Sequence, residues 1–113
     1  MEIPINKRIK ICVTKNHIKN GKINSGSCPI ALAIIDKLNL ETRWNTDISL
    51  PMEESAPKHY ISVVLGGIDL KENKKGSHFT SPLSLKAKKF VMDFDFNKKV
   101  KPTSFYLKFE KKI

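Results

Sequence analysis

Cys28 stands where a helix is expected to begin, and that placement is the sharpest chemical feature of the sequence. In Ser25-Gly26-Ser27-Cys28-Pro29-Ile30-Ala31-Leu32-Ala33-Ile34-Ile35, Pro29 suits the first helical position, because its missing N–H has no helical partner there anyway. A thiol at a helix N-terminus feels the positive end of the helix dipole, which favours the thiolate. His17 precedes it across a loop of about ten residues. A Cys28–His17 pair, oriented by Asn16 or Asp36, would make a nucleophile. No nucleophile motif surrounds the cysteine, however. The simpler expectation is Cys28 as a buried cap and His17 as a loop-packing residue.

The same entrance suits an anion. Free amides at a helix N-terminus bind phosphate or carboxylate. Ser25, Gly26 and Ser27 would allow close backbone approach, and Lys19 and Lys22 would add charge. The lysine-bearing phosphate-loop pattern is absent, and helix capping alone accounts for these residue types.

A second set of residues is cationic. Lys71, Lys74 and Lys75 fall in one expected loop. Lys86, Lys88 and Lys89 fall on one face of a helix, and Lys98, Lys99 and Lys101 in a connector. Gathered on one edge they would attract nucleic acid. Base stacking would need exposed aromatics, for which Trp44, Tyr60 and Tyr106 are the candidates. No strand carries the Lys-Gly-Phe type of RNA-recognition motif. The competing reading is a solvated lysine-rich surface. Glu53 and Glu54 read as solvated too. Metal chemistry is not expected: Cys12 and Cys28 are far apart in sequence, His17, His59 and His78 are scattered singly, and no cofactor motif is present.

Lys7 to Thr14 alternates, with Ile9, Ile11 and Val13 on one face, which predicts a half-buried strand. Thr14 is a good N-cap and Gly21 a good residue beyond a helix end, so one or two helical turns fit between them. The helix entered at Ser27 or Cys28 carries Ile30, Ile34 and Leu38 on one face and stops near Asn39. Thr42 to Leu50 alternates again and predicts a strand. His59 to Leu65 predicts another, turned by Gly66-Gly67 into a short return at Ile68–Leu70. Lys71 to His78 is expected as a basic loop. Ser81-Pro82 is expected to open a helix bearing Leu83, Ala87, Phe90, Val91 and Phe94. Phe105, Leu107 and Phe109 line a last strand, followed by a solvated Lys111-Lys112. The whole is an α+β fold of β-α-β-β-α-β type, with two main helices packed on one face of a mainly antiparallel sheet. One domain spans 1–113, with 1–6 and 111–113 as loose tails.

The chain has 113 residues and a formal net charge of +10, nearly all of it from lysine. Lys, Asn and Ile are together what an AT-rich coding sequence yields, yet the charge still favours polyanionic partners. No run approaches a membrane span, and no signal-type segment opens the chain. The cytoplasm of a host cell is the expected location, and both cysteines are expected as free thiols.

The pattern Val13-Thr14-x-x-His17-Ile18-x-x-Gly21, then Cys28-Pro29-Ile30-Ala31-Leu32-Ala33-Ile34, resembles a group of small bacteriophage and prophage proteins. Phe94-Asp95 and the strand from Pro102 to Phe109 follow in the same order. The resemblance covers the order of most of the chain and matches at motif level only in the first forty residues. It implies a viral or prophage setting and carries over no activity or catalytic residue. The expectation is therefore a small basic non-enzymatic accessory protein that binds a host protein, a nucleic acid or a nucleoprotein defence complex. The alternatives are a protein that sequesters a phosphorylated nucleotide signal as an oligomer, and a Cys28-dependent enzyme.

Overall fold

The computed structural model describes residues 3–43, 49–51, 55–73 and 75–112. Alternation builds the first strand, β1 (Arg8–Val13): Ile9, Ile11 and Val13 point inward, while Arg8, Lys10 and Cys12 point out. Thr14 ends it and caps a short helix, α1 (Lys15–Asn20). The cap is reciprocal. Thr14 Oγ1 accepts from the His17 amide at 3.4 Å, and His17 Nδ1 accepts from the Thr14 amide at 3.0 Å.

A loop leads to α2 (Pro29–Leu38), capped by Cys28, whose sulfur accepts from the Ala31 amide at 3.5 Å. Its apolar stripe of Ile30, Ala31, Ala33, Ile34 and Leu38 is buried against β1 and against the next strand, β2 (His59–Val64). Asn39 stops the helix in the left-handed conformation, which asparagine tolerates better than other side chains.

β2 turns at Leu65-Gly66 into β3 (Gly67–Glu72), which turns again into β4 (Ser77–Ser81). Gly67 sits at φ +140, and a Cβ there would meet the Ser81 carbonyl oxygen at 2.9 Å, so only glycine fits. Next comes α3 (Leu85–Asp95), capped by Ser84, which sends Ala87, Phe90 and Val91 into the core. β5 (Thr103–Lys108) pairs antiparallel with β1, and β6 (Glu110–Lys112) pairs antiparallel with β4. The result is a two-stranded ribbon, β1-β5, beside a four-stranded sheet of order β2-β3-β4-β6. Only Phe109 separates β5 from β6, so one run of chain passes from the ribbon to the larger sheet. The inward faces of both sheets and the helices share one apolar cluster.

The α+β mix, the antiparallel pairing and the packing of helices against a sheet are as expected. Four expectations need correction. The strands form two hydrogen-bonded sheets rather than one. The supposed loop Lys71–His78 is strand at both ends, because Lys71–Glu72 extend β3 and Ser77–His78 begin β4. Ser81-Pro82 does not open the second long helix: Ser81 closes β4, and Ser84 is the cap. Residues 3–6 and 111–112 are not loose, since Ile3 is buried, the Asn6 amide donates to the Phe109 carbonyl, and Lys111 and Lys112 lie in β6. The expected strand Thr42–Leu50 falls mainly outside the described residues; Thr42, Arg43, Ser49 and Leu50 are not in a strand.

Candidate nucleic-acid interface

The register of β1 and β5 decides what the outer face of the ribbon carries. Arg8 lies opposite Lys108, Lys10 opposite Tyr106, and Cys12 opposite Ser104. Arg8 and Tyr106 are therefore diagonal neighbours on one face, within reach of a long side chain. The Arg8 guanidinium sits 4.3 Å from the Tyr106 ring centroid, a cation–π contact worth about 0.5–1 kcal/mol at an exposed site. It orients a ring that stays 49% exposed.

Beside this face runs an open groove of about 750 Å³. Its far wall is the segment Pro82–Ser84 with Lys86, the start of α3. Serine 84 holds that start in place, its hydroxyl accepting from the Ala87 amide at 3.2 Å. Arg8, Lys10, Lys86 and Lys108 all line the groove, and no carboxylate among the described residues does. None of these four cations has an ion-pair partner among the described residues. The sequence reinforces the bias, since no Asp or Glu occurs from Ile3 to Ile35. Such a wall concentrates positive potential and attracts anions.

Cys28 and His17 share neither a hydrogen bond nor a hollow. The hollow beside Cys28 is lined by Asn24, Val63, Val91 and Asp95, among others, and not by His17. Cys28 is only 5% exposed. Burial pushes its thiol above the ordinary value, the Ala31 and Ile30 amides pull the other way, and Asp95 adds to the rise. The helix terminus therefore does not prevail over desolvation. His17 is engaged at both ring nitrogens. With Nδ1 accepting in the cap, Nε2 donates to Asp36 Oδ2 at 2.5 Å, tying α1 to α2. Asp36 thus orients His17 in a link between the two helices.

The helix entrance is occupied by its own chain. The Gly26 amide donates to Asn24 Oδ1 at 2.8 Å and the Ser27 amide to the Asn24 carbonyl at 3.2 Å. The Ser25 carbonyl accepts from Val63 at 2.8 Å, pinning the loop to β2. Lys19 and Lys22 are exposed around it.

The remaining lysines are divided among three places. Lys75 is at the β3–β4 turn, Lys86, Lys88 and Lys89 are on α3, and Lys98, Lys99 and Lys101 are in the connection to β5. Lys98 approaches Asp93 at 3.9 Å. Only Lys86 of this set lines the groove; Lys74 and Trp44 lie outside the described residues. Sequence reasoning missed Arg8, Lys10 and Lys108. Their signal was a cation at alternate positions of two strands, but only the register puts those positions around Tyr106.

No group of His, Cys, Asp and Glu suited to a metal ion occurs among the described residues, and no described helix is long and apolar enough to cross a membrane. No protein-family model, curated protein or solved structure matches the chain.

Proposed function

We propose that the protein is a small basic binding protein that takes a single-stranded nucleic acid across the outer face of the β1–β5 ribbon. The observation that carries this reading is the Arg8–Tyr106 stack set in a groove with Lys10, Lys86 and Lys108 and with no carboxylate among the described residues. A base–aromatic stack needs an unpaired base and accepts any of them, because every base has a π face. The guanidinium plane of Arg8 offers a second stacking surface. The lysines meet phosphates and release counterions. In a phage or prophage setting, which the resemblance implies, the bound strand would belong to a host or viral nucleoprotein.

Fluorescence anisotropy with a labelled oligothymidylate, titrated at several salt concentrations, tests this. Four phosphate contacts on a single strand give a slope of log affinity against log salt near about −3. Tyr106→Ala is expected to weaken binding by about 5- to 150-fold, the loss of one stacked base, while leaving that slope in place. An absence of binding at low salt, or affinity indifferent to Tyr106→Ala, overturns the reading.

A further inference from the structure

The outer face of the four-stranded sheet is polar and ordered in rows. Strand alternation sends Ile61, Val63, Ile68, Leu70 and Phe79 into the core. Their neighbours face out, and the register sorts them across the strands. One row reads Tyr60, Lys71, His78, Lys112. The next reads Ser62, Asp69, Thr80, Glu110. At ordinary strand spacing each row spans about 14 Å, and the rows lie about 7 Å apart. An aromatic and three basic side chains thus run parallel to a line of hydroxyls and carboxylates.

Two hollows mark this face. One, of about 400 Å³, is lined by Tyr60, Ser62, Asp69, Lys71 and His78. The other, of about 440 Å³, includes Gly67, Asp69, Thr80, Pro82 and Lys112. They share Asp69, and the second shares Pro82 with the ribbon groove. The hollows therefore follow one another from Tyr106 to Tyr60. The strand that links the sheets keeps the same alternation throughout: Tyr106 and Lys108 face outward in β5, and Glu110 and Lys112 share the outer rows in β6.

We propose that a single strand held in the ribbon groove continues past Pro82 onto this face, with Tyr60 as a second stacking platform and the Ser62–Asp69–Thr80 row selecting bases that carry an exocyclic amino group. This rests on the function proposed above and adds a length and a base preference to it. The basic row matches a phosphate backbone, and the adjacent row matches base edges. Asp69 is held in position by His78 Nε2, 3.0 Å from its Oδ1, which leaves Oδ2 free to accept. A carboxylate only accepts, so it suits the amino groups of cytosine, adenine or guanine and opposes the carbonyl that thymine presents in the same place. A polypeptide added as an extra strand beside β2 is disfavoured, because backbone groups of Ser25 and Glu41 already bond to its outer edge: the Val63 amide to Ser25 and the His59 amide to Glu41.

The test uses the full chain and labelled oligocytidylate and oligothymidylate of about 4 and about 12 nucleotides, spanning the site sizes usual for sheet platforms. The longer strands are expected to bind more tightly than the shorter, and cytosine more tightly than thymine at the longer length. Tyr60→Ala is expected to shrink the gain from length by about 5- to 150-fold. Asp69→Asn is expected to reduce the cytosine preference without lowering thymine affinity. If neither variant changes the longer strands while Tyr106→Ala still weakens every ligand, this inference fails and the ribbon reading stands. If no oligonucleotide binds, both fail. Circular dichroism of each variant separates loss of binding from loss of fold.

Discussion

At the scale of single residues, two side chains that looked chemical serve the fold. His17 spends one nitrogen on the Thr14 cap and the other on Asp36. Cys28 spends its sulfur on the Ala31 amide and lies in the core. Reactivity of a cysteine follows its thiolate fraction and its exposure, and both are low for Cys28. The sign follows directly: burial raises the thiol's pKa, so at neutral pH less of it ionises than of an ordinary cysteine. Cys12 lies exposed on the ribbon. Iodoacetamide at neutral pH is expected to add one label quickly, at Cys12, and to reach Cys28 only in denaturant, as mass spectrometry of the adducts would show. Two rapid adducts on the folded protein would contradict the packing around Cys28.

At the scale of elements, the junction between α1 and α2 shows how a correct residue can have an unexpected reason. Glycine after α1 suggests a left-handed helix end. Gly21 instead has φ −70 and ψ 150, which any residue adopts. Its smallness is needed for contact: a Cβ would lie 2.6 Å from both Cγ and Cδ of the Pro29 ring. That ring is the first residue of α2 and is fixed by the helix behind it. Gly21→Ala is therefore expected to destabilise the protein by about 1–3 kcal/mol through overpacking, read as a lower urea midpoint with an unchanged slope. A neutral or stabilising effect would mean that the two helices separate freely. The turn at Gly67 is the opposite case, where positive φ and the close Ser81 carbonyl both demand glycine.

At the scale of the whole molecule, the chain after α3 joins everything. β5 completes the ribbon with β1, β6 completes the larger sheet, and Phe109 between them is fully buried. Its carbonyl also receives the Asn6 amide at 2.8 Å, and the Lys108 amide donates to Ser81 Oγ at 3.1 Å. The ribbon and the sheet are thus joined around Phe109. Phe109→Ala is expected to cost about 3–5 kcal/mol, a large share of the stability of a domain this size. Urea unfolding measures it, and a cost below about 1 kcal/mol would show that the two sheets hold together without this side chain. The same joint bears on the proposed function, since the outward side chains of β5 and β6 run between the Tyr106 groove and the rows that end at Tyr60.

The sequence by itself determined the local structure. Alternating apolar residues specified β1, β2 and β5, Thr14 specified its cap, and Cys28-Pro29 and Asn39 specified both ends of α2. These are effects of neighbouring residues, and so they are written in neighbouring letters. β4 and β6 escaped because short polar strands carry little periodic signal, and His78 and Lys112 read as loop and tail until a partner strand takes up their backbone groups. The second helix began later than Ser81-Pro82 suggested, because Ser81 was already committed to pairing with Ile68. The proposed interface was the least legible part. Tyr106 was visible as an exposed aromatic, and the positive charge was visible as a total. That Arg8 stacks on Tyr106, with Lys10, Lys86 and Lys108 around it, depended on pairing residues nearly a hundred positions apart. Only the tertiary structure decides such a meeting, because register between distant strands is set by the burial of their opposite faces and not by anything local to either strand.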